Sequence, residues 1–381
     1  MVVRNPHELG GFAANSRGPR DNATVEKPAT AEELARRLHE AAESGLAVFP
    51  VGGGRSLEMG DPPAVDGVEL RTKALDRVLE HSQADMVVSV EAGITLEALQ
   101  EELGKSGQFL PLDPFGSPGH TIGGLLATGW TGPLRLRYGS PRDFLIGIRV
   151  ALPDGRLASA GGRVVKNVSG YDLMKLHYGA LGTTGVIVAA SFKVFPKALH
   201  DVTVESKHES MAEAWVAAEQ VLDMPMAPAA VELFSSGRVL ARFLGSPDAT
   251  RRMVADLGWT AADASVWQEH STAAPARWAR IAAPRHQLRS ILDRLEADEQ
   301  WWASPGTGIA NWAVAGSAED VRAVRAAAVA AGGSLLLMAG PAEFRREAGA
   351  WGTPPATLHL MRRLRSAFDP NQVINPGRFV V

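Results

Sequence analysis

The chain contains no cysteine. That excludes disulfides, thiolate nucleophiles, iron–sulfur clusters ligated by this chain and any cysteinyl link to a cofactor. It also lacks a dominant charge: 39 basic residues stand against 42 acidic ones, a formal net charge of -3. Nothing in that balance suggests an electrostatic grip on nucleic acid or an anionic membrane. No apolar stretch approaches the length of a membrane-spanning helix, and the polar opening MVVRNPHELGGFAANSRGPR has no apolar signal-peptide core. The expected location is the cytoplasm, or a membrane periphery reached through a partner. No fixed-period repeat or low-complexity tract is present. What the chain does have is size and apolar content. Its 381 residues, 45% of them hydrophobic, can bury a sizeable core in two or three domains.

Short helical and extended patterns alternate through the first half. In Pro28 to Glu43, Leu34, Ala35 and Leu38 fall at helical spacing, and Thr30 with Glu33 forms a capping box. Leu46 to Val51 reads as a buried strand that runs into Gly52, Gly53, Gly54, Arg55 and Ser56. Strands ending at Val68 to Arg71 and at Met86 to Val90 follow, then a helix Leu96 to Leu103 begun by Thr95. Pro111 to Gly132 is too rich in glycine for a helix and too long for a simple turn, so it reads as a functional loop. Phe144 to Leu152 and the turn Pro153, Asp154, Gly155 carry a hairpin signal, and Val186 to Val194 gives a further strand closed by Pro196. Beyond Ala198 glycine thins, and helical segments such as Ser210 to Leu222 and Gln287 to Ala297 appear.

Successive glycines let backbone N–H groups approach phosphate oxygens with no side chain between them, and a diphosphate needs several such donors. Gly52 to Ser56 offers a first cradle, without the Rossmann spacing or the helix that should follow it directly. Thr121 with Gly123 and Gly124 offers a second, before a small-residue helix. The segment VVKNVSGYDLMKLHYGALGTTGVI offers a third, punctuated by Gly170, Gly179, Gly182 and Gly185. Three cradles suit a dinucleotide.

With these motifs the chain resembles FAD-linked oxidases of the vanillyl-alcohol oxidase and para-cresol methylhydroxylase type, over about residues 26 to 196 and a C-terminal return. The likeness rests on LAVFPVGGGRS, MVVSVEAGITLEALQ, GQFLPLDP, TIGG, LRYGSPRDFLIG, KNVSGYDLMKLHYGALGTTGVI and FDPNQVINPGRF. It is strongest toward the FAD-binding subunits of bacterial glycolate oxidases. The resemblance implies an α+β fold: a two-subdomain FAD-binding domain at 1–197 with its internal boundary near 72, an α/β cap at 198–345 built on an antiparallel sheet, and a segment 346–381 returning to the FAD domain. It implies that Gly52, Gly53, Gly54, Arg55 and Ser56 hold the pyrophosphate, that Pro111 and Asp113 lie along the cofactor, and that Thr121, Gly123 and Gly124 complete the phosphate cradle. Arg137, Tyr138 and Gly139 belong to the following loop, and Asp143 opens the next strand. Gly170, Tyr171, Asp172 and Lys175 lie near the isoalloxazine, Gly185, Val186 and Ile187 meet the cofactor by backbone contacts, and Asn375 brings the C-terminus back.

The sequence departs from that family in two places. Many relatives bind FAD covalently through a histidine in the first loop. Here Arg55 occupies that stretch, so non-covalent FAD is expected, and His120 beside the second cradle reads as a solvated loop residue. Hydroxyacid-oxidising relatives carry a histidine-rich metal cluster of the HAGDGNLH kind, whereas this chain has SPGTGIANWAVAG with His270, His286 and His359 scattered. No metal site and no catalytic base can be named. The implied function is the FAD-binding subunit of a glycolate-oxidase-like complex, with a second FAD-containing catalytic subunit, an iron–sulfur subunit and a small 2-hydroxy acid as partners. A self-sufficient FAD oxidase of another alcohol or hydroxy acid, and a non-catalytic scaffold, are the alternatives. Trp301, Trp302 and Trp312 read as core or interface aromatics, and Arg362, Arg363 and Arg365 as a solvated helix face.

Overall fold

In the computed structural model, which describes residues 24–116, 118–162, 172–272 and 275–381, Thr30 accepts the Glu33 N–H and caps helix α1 (Ala31–Glu43). The apolar stripe expected there buries Leu34, Ala35, Leu38, Ala41 and Ala42. Beneath it lies a parallel sheet in which β3 (Gly67–Arg71) runs between β1 (Thr24–Glu26) and β2 (Ala47–Val51). A second, antiparallel sheet follows the order β4 (Val78–Ser82), β5 (Val87–Glu91), β9 (Val186–Lys193), β7 (Leu145–Ala151) and β8 (Leu157–Gly161). The hairpin signal at Pro153 to Gly155 corresponds to the β7–β8 turn. Every residue of β5 is buried, including Glu91, whose carboxylate accepts two hydrogen bonds from the Arg77 side chain at 2.8 and 3.1 Å. Helix α2 (Leu96–Gly104), capped by Thr95, buries Leu96, Leu99 and Leu103 against this sheet's core. A two-residue pairing of β6 (Gln108–Phe109) with β10 (Phe195–Pro196) ties the end of α2 to the end of β9.

The stretch read as a loop too glycine-rich for a helix contains one. Helix α3 (Ile122–Thr128) begins at Thr121, which caps it by accepting the Gly124 N–H, and ends at Gly129 with φ 68°. Its glycines occupy the first turn, where backbone freedom costs least, and Ile122, Leu125 and Leu126 drive it into the core.

The region beyond Ala198 combines helices with an antiparallel sheet of the kind the resemblance implies. Alanine and arginine content pointed to helices, and helices Met211–Leu222, Arg285–Leu292 and Ala318–Ala330 are present. They cover one face of an eight-stranded sheet of β11 (His200–Lys207), β12 (Ala230–Phe234), β13 (Arg238–Gly245), β14 (Thr260–Ala262), β15 (Trp278–Ala282), β16 (Trp301–Ser304), β17 (Ile309–Ala313) and β18 (Ser334–Ala339). The order across it is β14-β11-β13-β12-β16-β17-β15-β18, and each pairing is antiparallel. The strand alternation sorts its two faces. Ala279, Ile281, Trp301, Ala303, Ala310 and Trp312 pack beneath the helices, whereas Trp278, Trp302 and Met338 join the core built on β5, α2 and α3. The sheet therefore caps the first half of the chain with one face. The mixed helix and sheet architecture is the α+β class expected.

The C-terminal segment pairs alongside β2. Val48 N–H donates to Val373 at 2.7 Å and Asn375 N–H to Val48 at 2.8 Å, which sets Ile374 parallel to β2. The turn that permits this is held by Asp369, fully buried, whose carboxylate accepts the N–H groups of Val373 at 3.0 Å and Ile374 at 2.8 Å. Arg365 is not part of a solvated face: it is buried and donates to the carbonyls of Ile374 and Val381. Asp369→Ala strands two buried donors at about 1–3 kcal/mol each. We expect roughly 3 kcal/mol less stability in urea unfolding, and a loss below about 0.5 kcal/mol would show that the turn holds without its carboxylate.

A candidate dinucleotide cleft

Strand β2 ends at Val51 and releases the chain at Gly52 into the floor of an open cleft of about 690 Å³. Its walls bring together Gly52 to Leu57, Thr121, Gly123 and Gly124 at the start of α3, Leu181 and Gly182, Val186 and Ile187 at the start of β9, and Asn375 and Arg378 from the C-terminal return. Segments more than 300 residues apart in sequence, counted from Gly52 to Asn375, thus meet in one place. The described lining holds two guanidinium groups, Arg55 and Arg378, and no carboxylate.

The glycines here serve two different needs. A Cβ on Gly52 would lie 2.2 Å from Thr121 Oγ1, and one on Gly53 would lie 1.8 Å from the Gly119 carbonyl oxygen. These two therefore make room for the second cradle rather than for a ligand. Thr121 Oγ1 joins the cradles, accepting the N–H groups of Gly53 and Gly124 at 3.3 Å each. Gly54 differs: a Cβ there would meet only Leu57 Cδ1 at 3.8 Å, but its φ of 73° is left-handed. Arg378 fixes the loop from below, donating through Nε to Met59 at 3.1 Å and through Nη2 to the Ser56 carbonyl.

Asn375 sits in the left-handed region at φ 46° and donates from Nδ2 to the Leu181 carbonyl at 2.6 Å. Its Oδ1 is buried with no hydrogen-bond partner, a vacancy in bonding that a ligand donor can fill. His120 also lines the cleft but is not solvated. It is 3% exposed, its Nε2 donates to the Phe115 carbonyl at 2.9 Å, and its ring lies 5.2 Å from that of Trp130. Burial pushes its pKa down, so it is neutral at physiological pH.

Other residues singled out from sequence lie elsewhere. Pro111 is buried in the connection before Asp113. Asp113 lines a second opening of about 750 Å³ with Phe115, Pro133, Trp267 and Gln268. Its Oδ2 accepts the Leu134 N–H at 2.9 Å, while Oδ1 is buried without a partner. Burial pushes its pKa up to about 8. Arg137 donates to the Leu244 carbonyl of β13, and Tyr138 packs edge-on between Phe109 and Phe195. Asp143 does not open a strand: it caps the single turn Pro141–Phe144, its Oδ2 accepting from the N–H and hydroxyl of Ser140 at 2.7 and 2.8 Å. Gly139 suits glycine because its φ of 81° is positive, and a Cβ there would also lie 2.6 Å from that carboxylate. Asp172 and Lys175 form an ion pair at 2.8 Å, and Gly185 flanks the cleft at the head of β9. Gly170 and Tyr171 lie outside the described residues.

Sequence reasoning missed Arg378, which is visible only as the last basic residue of NPGRF, and Arg280. The Arg280 guanidinium projects from β15 toward the first half of the chain and lies 5.7 Å from the Trp130 ring. Burial draws its pKa down to about 10, with Arg135 adding repulsion.

Comparison with known proteins agrees with the cleft. Residues 23–161 match the family model described as an FAD binding domain. The chain carries an FAD-binding domain over these residues, and FAD is the cofactor of that domain. The chain is 36% identical over 184 residues to a D-lactate dehydrogenase of Archaeoglobus fulgidus, covering 48% of this chain and 41% of that protein. It is 29% identical over 213 residues to glycolate oxidase subunit GlcD of Bacillus subtilis, covering 56% and 45%. It thus spans less than half the length of both. Against glycolate oxidase subunit GlcE of Escherichia coli it is 27% identical over 362 residues, 91% of this chain and 96% of that one. A solved alkyldihydroxyacetonephosphate synthase superposes with a TM-score of 0.69 over 92% of this chain and 76% of that one, at 16% identity, a likeness of fold.

The cleft fits FAD on its own chemistry. Its lining carries guanidinium groups and no carboxylate, the backbone is bare at Gly54, and one buried amide oxygen awaits a donor.

Proposed function

We propose that this chain is the FAD-holding subunit of a glycolate-oxidase-like complex, oxidising a 2-hydroxy acid together with a second FAD-containing subunit and an iron–sulfur subunit. The observation that carries this reading is the cationic cleft assembled from three glycine-bearing segments and Asn375. The near end-to-end match with GlcE supports the subunit assignment.

In this reading the backbone of Gly52 to Ser56 and the start of α3 hold the diphosphate, with Arg55 and Arg378 balancing its charge. Thr121 keeps the two cradles in register. Asn375 Oδ1 accepts from the cofactor, and the eight-stranded sheet keeps water from the reacting face. When bound, FAD supplies the two-electron acceptor for the hydride on the carbinol carbon of the hydroxy acid. The attachment is non-covalent: there is no cysteine, and the Nε2 of His120 is committed to the Phe115 carbonyl. Among the described residues no helix is long and apolar enough to cross a membrane. We place the chain in the cytoplasm, with any membrane attachment supplied by the complex.

The test is anaerobic glycolate and D-lactate oxidation by the purified FAD-loaded chain, alone and with its partner subunits. Little turnover alone and restoration by partners is the expected result. Full turnover by the chain alone would establish a self-sufficient oxidase instead.

A further inference from the structure

The sheet face turned toward the FAD-binding half carries a polar group that the cleft does not use. Arg280 on β15 stands directly opposite Asn311 on β17, and Asn311 opposite Trp302 on β16. Neighbours in such a row have Cβ atoms about 5 Å apart. The strand positions on either side, Ala279, Ile281, Ala310 and Trp312, pack under the helices of the other face, so Arg280 and Asn311 both point at the FAD-binding half. There Trp130 meets the guanidinium with its ring, and the same ring abuts His120 on the cleft wall.

Three buried atoms at this junction have no hydrogen-bond partner: Arg280 Nε, Trp130 Nε1 and Asn311 Oδ1. The charged and titratable groups that reach Arg280 are Arg135, which repels it, and the Tyr178 phenol. No carboxylate among the described residues forms an ion pair with it. A ring face replaces only part of the hydration that a buried guanidinium gives up, and the uncompensated remainder calls for an anion. The orphaned set is two donors and one acceptor. A carboxylate answers the donors, and an adjacent hydroxyl answers Asn311 Oδ1 by donating to it.

We propose that Arg280 and Asn311 form a binding site for a small 2-hydroxycarboxylate, the guanidinium taking its carboxylate and the Asn311 amide oxygen accepting its hydroxyl proton. The proposal rests on the reading of the cleft as an FAD site in a 2-hydroxy-acid-oxidising complex and names where in this chain the acid is held. It concerns binding, so it requires no turnover by the isolated chain.

The experiment titrates the FAD-loaded full chain with glycolate, acetate and glycolamide, following tryptophan fluorescence and the flavin difference spectrum, with FAD content measured on each preparation. Glycolate is expected to bind at least about tenfold tighter than acetate, which lacks the hydroxyl, and than glycolamide, which lacks the charge. Arg280→Met should weaken glycolate by about 30-fold or more with FAD content unchanged. Asn311→Leu should erase the preference for glycolate over acetate while leaving acetate affinity in place, and it answers the question should Arg280→Met fail to fold. Unchanged glycolate affinity in Arg280→Met overturns the proposal. So does a wild-type chain that holds FAD yet binds none of the three, an outcome that leaves the cofactor reading intact. Loss of FAD from Arg280→Met assigns the guanidinium to the flavin and overturns the carboxylate site. A wild-type chain that binds glycolate selectively but holds no FAD defeats the functional reading and spares the acid site.

Discussion

Gly53→Ala is expected to reduce FAD affinity at least 100-fold and to lower the melting temperature of the chain by several degrees. The added methyl would sit 1.8 Å from the Gly119 carbonyl oxygen, a backbone atom that cannot turn aside as a side-chain tip can. Relief requires the first loop and the segment before α3 to separate, which breaks the Gly53 N–H bond to Thr121 Oγ1 and misplaces both cradles together. Overpacking of this kind costs about 1–3 kcal/mol in stability, and the loss in binding is larger because every phosphate donor depends on the loop's position. Gly54→Ala is the informative comparison. Its Cβ would make only an ordinary contact with Leu57 Cδ1 at 3.8 Å, so the penalty is the left-handed φ alone, about 1–2 kcal/mol. Equilibrium dialysis of FAD against both variants measures the difference. Equal affinities would mean that the two loops are not coupled through the Gly53 contact.

A second large effect concerns Asp113. Burial raises its pKa from 3.8 in the unfolded chain to about 8 in the native one, so between those values the native state binds a proton that the unfolded state has released. Stability is then greatest below about pH 4, falls as pH rises through the window from about 4 to about 8, and levels off above it. The full shift would correspond to about 6 kcal/mol at 1.36 kcal/mol for each pH unit. Because Asp113 retains some accessible surface, an effect of about 2–3 kcal/mol is the reasonable expectation. Asp113→Asn, neutral throughout, should gain steadily on the wild type from pH 5 to pH 8 in chemical denaturation. A constant difference between the two proteins across that range would show that Asp113 is ionised in the folded chain.

Much of the first half was legible in sequence because its signals are local. The Thr30 and Thr95 caps, the stripe of α1, the run into Gly52 and the turn at Gly155 are each set by a few adjacent residues, and the elements start and stop within a residue or two of where those signals fall. The antiparallel sheet of the cap followed from the family resemblance, whereas its individual strands were obscured by their composition. In β15 the sequence WARIA alternates two environments as a strand should, but alanine and arginine favour helices when read as propensities. Only the packing of Trp278 against one core and Ala279 against another resolves the ambiguity.

The cleft was partly legible for a related reason. Glycine at 52 and 53 was noticed for the space it leaves to phosphate, and the structure gives those two glycines a different task, the close approach of two loops. Arg280, Asn311 and Trp130 could not be grouped from sequence at all, since they lie on three segments joined only when the sheet folds over the FAD-binding half. His120 was misjudged for the opposite reason: its neighbours Gly119 and Pro118 look like a solvated loop, but the ring is drawn inward against Trp130.

The central claim is that the cleft holds FAD without a covalent bond. The most direct measurement is the visible absorption spectrum of the purified chain after reconstitution with FAD and gel filtration, repeated on the supernatant after acid precipitation. We predict flavin bands at one FAD per chain, with all of the flavin released into the supernatant. A chain that carries no flavin band after reconstitution, or one whose flavin stays with the precipitate, would contradict the account.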